Sequence, residues 1–343
     1  MKRLVRIPGM KIWSMLLLMG SMFTACNILS EDEEDCAVYI RFKYDMNMEF
    51  VDAFSEAVNS VTLYAFDKDG VLAFQKTEEG ELLKQSGYRM RLDEISRRGD
   101  KTEYDFITWA GEPDNESFSI PVLTVGKSTK EELICQLNRA GGGVVDDDLE
   151  DLFHGQIDDQ SFGRAATVGE VVVPLVKNTN SIRIVLQEVS GEPLNVNDFR
   201  FSVYDKNGKM NYDNSLMEDE LLTYKAWHTG NGHAGLDEGQ VNQEGITEIN
   251  VAIAELTTAR LMADEEPILT ITKADTGEQV LSIPLVQAAL LYKREKYSDM
   301  PNQEYLDRED EYNFTFFLEN GKWISSSIII NSWRVVYQES ELK

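Results

Sequence analysis

The sequence predicts an all-β fold: two tandem β-sandwich domains with minor helix. Three observations lead there. Residues 61–71 read Val-Thr-Leu-Tyr-Ala-Phe-Asp-Lys-Asp-Gly-Val, and residues 199–209 read Phe-Arg-Phe-Ser-Val-Tyr-Asp-Lys-Asn-Gly-Lys. Both are β-branched and aromatic runs ending at Asp-Lys-(Asp/Asn)-Gly, a tight-hairpin pattern whose last two residues tolerate positive φ. The copies stand about 140 residues apart, close to the length of one domain. Each is preceded at a similar distance by another strand-like run, Ala37–Tyr44 and Ser181–Glu188, the order expected of a duplicated β-domain. Two hairpins that merely share favoured turn chemistry are the competing account. Thirdly, short alternating runs recur through the rest of the chain at sandwich-like intervals.

The N-terminus comes first in order. Met1-Lys-Arg-Leu-Val-Arg6 is a positive leader, and Ile12–Phe23 is an apolar stretch too short to span a bilayer. It closes on Phe23-Thr24-Ala25-Cys26, which resembles the bacterial lipobox, with Phe23 where Leu or Val is usual. Residues 1–25 are read as a lipoprotein signal peptide. Cys26 then carries diacylglycerol on sulfur and an acyl chain on its amine, and at about 0.8 kcal/mol per buried methylene several chains hold a protein on a membrane. Residues 26–36, rich in Glu and Asp, form a charged tether. An acidic stretch behind a lipidated cysteine also resembles the export signal of surface lipoproteins in Bacteroidetes.

Charge excludes one class of function. The chain has 33 basic and 60 acidic residues, a net −27, and four of the basic residues lie in the leader. Nucleic-acid binding needs the opposite sign, and an acidic surface matches anionic membrane poorly. Any membrane attachment therefore comes from the lipid. Of three cysteines, lipidation of Cys26 leaves Cys36 and Cys135, an even pair that suggests a disulfide in an exported protein. Two unpaired thiols are the alternative, because sequence does not show whether the Cα atoms lie within reach. Ser128 and Glu131 form a capping-box pattern for a short helix that would carry Cys135.

Further strands are expected at Tyr88–Leu92, Tyr104–Ala110, Phe118–Ile120 and Thr167–Val176. Arg139–Asp151, Gly-rich and then acidic, reads as an exposed, mobile loop. Asn178-Thr-Asn180 separates two strong strands, which sets the domains at residues 37–177 and 178–343. The second half offers strands at Ile249–Ile253, Ile268–Thr272, Val280–Leu285 and Tyr312–Leu318, a helical pattern at Leu285–Glu295, and a long strand-forming stretch at Ser327–Tyr337.

Catalytic chemistry is thin. A nucleophile elbow, a phosphate loop and paired-Cys metal spacing are all absent from the sequence. His228-Thr-Gly-Asn-Gly-His233 is the single histidine cluster, and it reads as a Gly-rich loop rather than a metal site. His154 reads as structural. Asp146–Asp151 lacks the alternating spacing and fixed glycine of a calcium loop, and the carboxylates of Asp67 and Asp69 are explained by the turn. No metal, cofactor or catalytic residue is assigned. Trp109, Trp227 and Trp323 are candidates for stacking on a glycan, although aromatics that alternate with polar residues are more often core.

The lipobox, followed by Cys36-Ala-Val-Tyr-Ile-Arg-Phe-Lys-Tyr-Asp-Met-Asn-Met48 and Val61–Gly70, resembles the anchoring subunits of Bacteroidales type V fimbriae, the minor-fimbrium anchors above all. The likeness is strongest over residues 26–75 and continues through Val171–Ile184 to Ile329–Trp333. It implies transthyretin-like sandwich domains, no catalysis, and a lipid-held outer-membrane base whose partners are fimbrial stalk and accessory subunits joined by strand exchange. In such exchange an extended segment completes a neighbour's sheet. An intact Ala37–Tyr44 would keep this chain's own groove filled. The C-terminal segment, with Ile328, Ile330, Trp333 and Val335, is the candidate strand for exchange; the simpler role is the last strand of the second sandwich. The alternative function is a surface glycan-binding or adhesin lipoprotein.

Overall fold

The computed structural model describes residues 38–93, 95, 103–162, 169–235, 248–330 and 333–336. It is all-β, with 50% of residues in strands and 12% in helices. Cys26 and Cys36 lie outside the described residues.

The first half contributes β1 (Val38–Lys43), β2 (Ser60–Asp67), β3 (Leu72–Glu79), β4 (Met90–Leu92), β5 (Glu103–Gly111), β9 (Leu152–Ser161) and β10 (Gly169–Lys177), joined as one seven-stranded sheet in the order β3-β2-β5-β9-β10-β1-β4. Alternation drives this arrangement. Val38, Ile40 and Phe42 of β1 are buried while Tyr39, Arg41 and Lys43 are partly exposed, so one face of a pleated strand meets the core. The β2–β3 turn is the expected hairpin. The Asp67 side chain accepts from the amides of Asp69 and Val71 (3.0 and 3.1 Å), and Gly70 takes φ +74°, open to glycine without cost.

The second half repeats the wording but not the hairpin. β11 (Thr179–Glu188), β16 (Glu248–Ala259), β19 (Glu311–Glu319), β20 (Lys322–Ile330), β21 (Trp333–Val336) and β15 (His228–Gly235) form a six-stranded sheet, ordered β15-β16-β11-β19-β20-β21. β12 (Phe199–Asp205) lies in a five-stranded sheet ordered β18-β17-β12-β14-β8, with β8 (Val144–Val145), β14 (Leu222–Lys225), β17 (Ile268–Lys273) and β18 (Gln279–Pro284). After Asp205 the chain does not fold back. β13 (Lys209–Met210) pairs instead with β7 (Cys135–Leu137), which also pairs with β6 (Phe118–Ser119). The reason lies at Asn207 and Gly208. Asn207 is buried, its amide donating to the carbonyls of Ala259 and Arg260 (3.0 and 3.1 Å) and its oxygen accepting from the Tyr224 hydroxyl (2.6 Å). A Cβ on Gly208 would lie 2.6 Å from Leu222 and 2.8 Å from Arg139 and Asp219. Here glycine answers a close approach, not a positive φ. A deeper correspondence survives in the topology: β1 runs parallel to β10, and β11 parallel to β19.

Four other expectations change. The capping box sits one residue later, with the Thr129 amide donating to Glu132 (3.0 Å); it opens only a single 3-10 turn, Lys130–Glu132, so Cys135 lies on strand β7. The segment 139–151 is tied down: β8 joins the second-half sheet, Leu149 is buried, Asp148 accepts from Thr257 (2.6 Å), and Asp151 accepts from Thr179 (3.1 Å) and pairs with Lys177 (2.9 Å). The His228–His233 segment is not a loop but lies within strand β15, paired with β16 from His228 opposite Glu255 to His233 opposite Asn250. The described parts of the expected C-terminal strand, 327–330 and 333–336, are not one strand but lie in the antiparallel pair β20–β21, with Ile328 opposite Val335 and Ile330 opposite Trp333.

Helices are minor: α1 (Phe54–Ala57), α2 (Leu285–Lys296) and α3 (Asn302–Arg308). α2 begins directly after Pro284 and buries Leu285, Val286, Ala288, Ala289 and Leu291, one apolar stripe at helical spacing.

The two halves meet without a spacer. β10 passes to β11 through Asn178 alone, whose buried amide exchanges hydrogen bonds with that of Asn214 (2.6 and 3.1 Å). One hydrophobic cluster runs from Phe66, Ile107 and Trp109 to Val203, Phe314 and Phe316, while a second, with Ile40, Phe42 and Phe106, belongs to the first half. An apolar interface of this kind opposes independent domain motion.

Candidate functional site

The first strand and the sheet edges are where an assembly subunit would act. β1 is an interior strand. It pairs in parallel with β10 along its whole length, from Val38 opposite Gly169 to Lys43 opposite Pro174, and antiparallel with β4 through Val38, Tyr39 and Ile40. Its inward side chains are locked by aromatics: Phe42 stacks on Phe54 (5.6 Å), and Tyr44 meets Phe153 edge to face (4.9 Å). Each buried side chain of this size is worth about 1.5–3 kcal/mol. On the other face Arg41 pairs with Glu170 (3.2 Å), and Arg89 covers the Tyr39 ring at 4.0 Å.

The exit from β1 is fastened by the second half. Arg308, at the end of α3, donates through Nη1 to the carbonyls of Asp45 (2.8 Å) and Asn47 (3.3 Å), and its guanidinium lies over the Phe50 ring at 4.6 Å. Lys177, at the end of β10, bridges Asp151 (2.9 Å) and Asp310 (2.8 Å). These residues carry no sequence signal, since their partners are more than a hundred positions away in the Arg308 and Asp310 cases; Arg308 and Lys177 read simply as surface charge.

In the second half, β21 stands last in the six-stranded sheet and, among the described residues, has a strand partner on one side only, β20. Of the candidate exchange residues, Ile330 is fully buried, Ile328 lies opposite Phe316 on β19, and Trp333 and Val335 lie on the edge strand.

Among the described residues Cys135 has no disulfide partner; it is fully buried, and burial raises the pKa of its thiol. It packs in the cluster that spans both halves, whereas Val38, next but one to Cys36, packs in the other. Non-reducing peptide mapping reads directly whether Cys36 and Cys135 are joined.

His154 sits at the seam. Its Nε2 lies 2.8 Å from the Tyr212 carbonyl and its ring meets Trp109 edge to face at 4.7 Å. Burial, aided by the charge of Arg260, holds its pKa down to about 4. The folded state thus disfavours the protonated ring. Stability from His154 is fully present above the ordinary histidine pKa and is lost as pH falls from about 6.5 toward 4, by up to about 3 kcal/mol. Asp205 opposes this trend in the same window, because burial lifts its carboxyl to about 6 and its contribution fades as pH rises. Comparing wild type with His154→Gln separates the two: the gap in unfolding free energy should shift toward the variant between pH 6.5 and 4, and a pH-independent gap would refute the assignment.

Trp109 is buried and belongs to the core, and Trp323 packs edge to face on Phe316 (6.1 Å). Trp227 is different. It is 40% exposed and stands at a cleft of about 260 Å³ with Asp148, Arg183, Glu255, Glu311 and Asn313. Among the described residues no group of His, Cys, Asp or Glu is placed to hold a metal ion, and no helix is long and apolar enough to cross a membrane.

The chain is all-β and built of sandwich sheets, and the solved structures it resembles include adhesin-like proteins of the same fold. A candidate adhesin from Bacteroides thetaiotaomicron VPI-5482 shares 33% identity and a TM-score of 0.77, covering 88% of this chain and 97% of the other. A candidate polysaccharide-binding protein from the same organism shares 30% identity and a TM-score of 0.76, covering 89% and 99%. The fimbrial anchor protein Mfa2 of Porphyromonas gingivalis has the same fold, with 16% identity, a TM-score of 0.63, and coverage of 88% and 99%. In sequence the chain is 20% identical over 284 residues to the minor fimbrium anchoring subunit Mfa2 of Porphyromonas gingivalis strain ATCC 33277, spanning 81% of this chain and 79% of that one. The chain belongs to the Mfa2 family, fimbrillin-A associated anchor proteins Mfa1 and Mfa2, whose model matches residues 32–339.

Proposed function

We propose that this protein is the lipid-held base of a fimbrium, fixed to the outer membrane through Cys26 and non-catalytic. The supporting observation is β1. It begins twelve residues after Cys26 and is built into its sheet between β10 and β4. A subunit whose own strand occupies the groove accepts no strand from another, so the fibre ends on it, and its length is limited from the membrane side. The outward contact to stalk and accessory subunits is assigned to β21, the last strand of the six-stranded sheet, where an added strand would extend the backbone ladder.

Cys26→Ala is expected to release the protein from membranes, because the acyl chains are the only strong hydrophobic anchor in this reading. Fatty-acid labelling followed by membrane fractionation tests it, and full retention without label would reject the lipid anchor. Fimbrial subunits copurifying from native membranes would support the base role.

A second reading, a glycan-binding adhesin, rests on Trp227 and its polar cleft, since an exposed indole beside Arg, Asn and carboxylates suits a sugar ring and its hydroxyls. Glycan-array binding that disappears in Trp227→Ala, without copurifying fimbrial subunits, would favour it over the base.

A further inference from the structure

We propose a further function for the β1–β10 pair: it is a shear clamp that carries tension between the N-terminal tether and the rest of the protein. The inference rests on the anchor reading for the source of the load, but its geometry stands on the topology alone. Tension enters at the Val38 end of β1. It leaves the first half at the Lys177 end of β10, where the chain continues through Asn178 into β11. The strands run parallel, so these two points lie at opposite ends of the ladder.

That placement decides how the pair responds. When force acts at opposite ends of a parallel pair, every rung from Val38–Gly169 to Lys43–Pro174 is loaded at once. Had both forces acted at one end, the rungs would part singly. Sliding β1 toward its N-terminus would also drag Ile40, Phe42 and Tyr44, all buried, through a packed core against Phe54 and Phe153. Behind them, Arg308 grips the carbonyls of Asp45 and Asn47 from the second half and resists the same displacement. At the same end of the ladder Lys177 ties the exit of β10 to Asp310. Two polar fasteners therefore hold the inner end of one apolar clamp.

The test is single-molecule pulling of the chain from residue 27 onward, with an N-terminal handle and Cys36→Ser to leave buried Cys135 as the only native thiol. In one variant the second handle is Val189→Cys. Val189 is exposed and follows β11 directly, so force crosses from β1 to β10 and then runs along the backbone of β11. In the other variant the handle is Glu170→Cys, at the same end of the ladder as Val38, which peels the pair. Forced unfolding reports the unfolding rate along the pulled direction. The Val189 geometry should rupture at a force several-fold above the Glu170 geometry, with Arg308→Ala lowering only the former. Equal forces would overturn the clamp while leaving lipid anchoring untouched, and loss of membrane retention in Cys26→Ala bears on anchoring alone. If Glu170→Cys melts below wild type, Gly169→Cys replaces it, since a Cβ there meets Phe162 and Val38 only at ordinary contact distances of 3.6 and 3.8 Å.

Discussion

Truncation after Lys322 is expected to abolish cooperative unfolding, whereas truncation after Ser332 leaves a folded protein. The first removes β20, which places Ile330 opposite Phe314, Ile328 opposite Phe316 and Trp323 opposite Leu318. Phe314, Phe316 and Leu318 are fully buried, and stripping their neighbour bares one edge of the core shared by both halves. Several such side chains at about 1.5–3 kcal/mol each compare with a total stability of about 5–15 kcal/mol. Of the described residues, the second truncation removes only strand β21, and it leaves β20 as the new edge. Denaturant titration followed by circular dichroism distinguishes the two, and a wild-type transition in the shorter chain would show that β20 is dispensable. Fimbrial retention on cells reads the role of β21: if fimbriae stay attached to cells carrying the chain cut after Ser332, the proposed edge contact is wrong.

Arg260→Ala should be the most damaging single substitution at the seam, lowering stability by about 3–5 kcal/mol. The Arg260 guanidinium donates to both carboxylate oxygens of Asp307 at 2.8 Å and to the Asn214 carbonyl at 3.1 Å. Both side chains of the ion pair are almost completely enclosed, 11% and 10% exposed. Removing the cation strands the Asp307 carboxylate, leaving it only the Gln303 amide (2.9 Å), and desolvating an unpaired charge costs more than the pair gains. Arg260→Ala with Asp307→Ala should therefore recover part of the loss. Urea midpoints of both single variants and the double variant measure it, and strict additivity would mean that the two residues are not coupled.

Much of the strand inventory was legible because burial on one face writes itself into alternation. The runs at 104–110, 268–272 and 312–318 lie within β5, β17 and β19, and the helical stripe from Leu285 became α2. Legibility failed where a local word had two structural meanings. Asp-Lys-Asp-Gly at 67–70 closes a hairpin through its own side chain, while Asp-Lys-Asn-Gly at 205–208 is drawn into the core by Tyr224, Ala259 and Leu222, all distant in sequence. The Gly-rich histidine segment gave no strand alternation at all. It became β15 because β16 supplies a backbone ladder, and Gly232 is kept small by Ile253, whose Cδ1 would lie 2.6 Å from an added Cβ.

The sequence by itself determined the all-β class, the kinship to fimbrial anchors, the acidic net charge, and the candidate lipid site at Cys26. These depend on composition, on short-range periodicity and on a contiguous N-terminal motif, all readable in one dimension. Only the tertiary structure decided that β1 is an interior strand running parallel to β10, that Arg308 and Lys177 fasten the end where it leaves the sheet, and that β21 stands last in its sheet among the described strands. Strand order, direction and ion pairing across more than a hundred residues are properties of the closed chain. The energy that selects them comes from filling one shared core, and no local stretch encodes which strand will stand beside which.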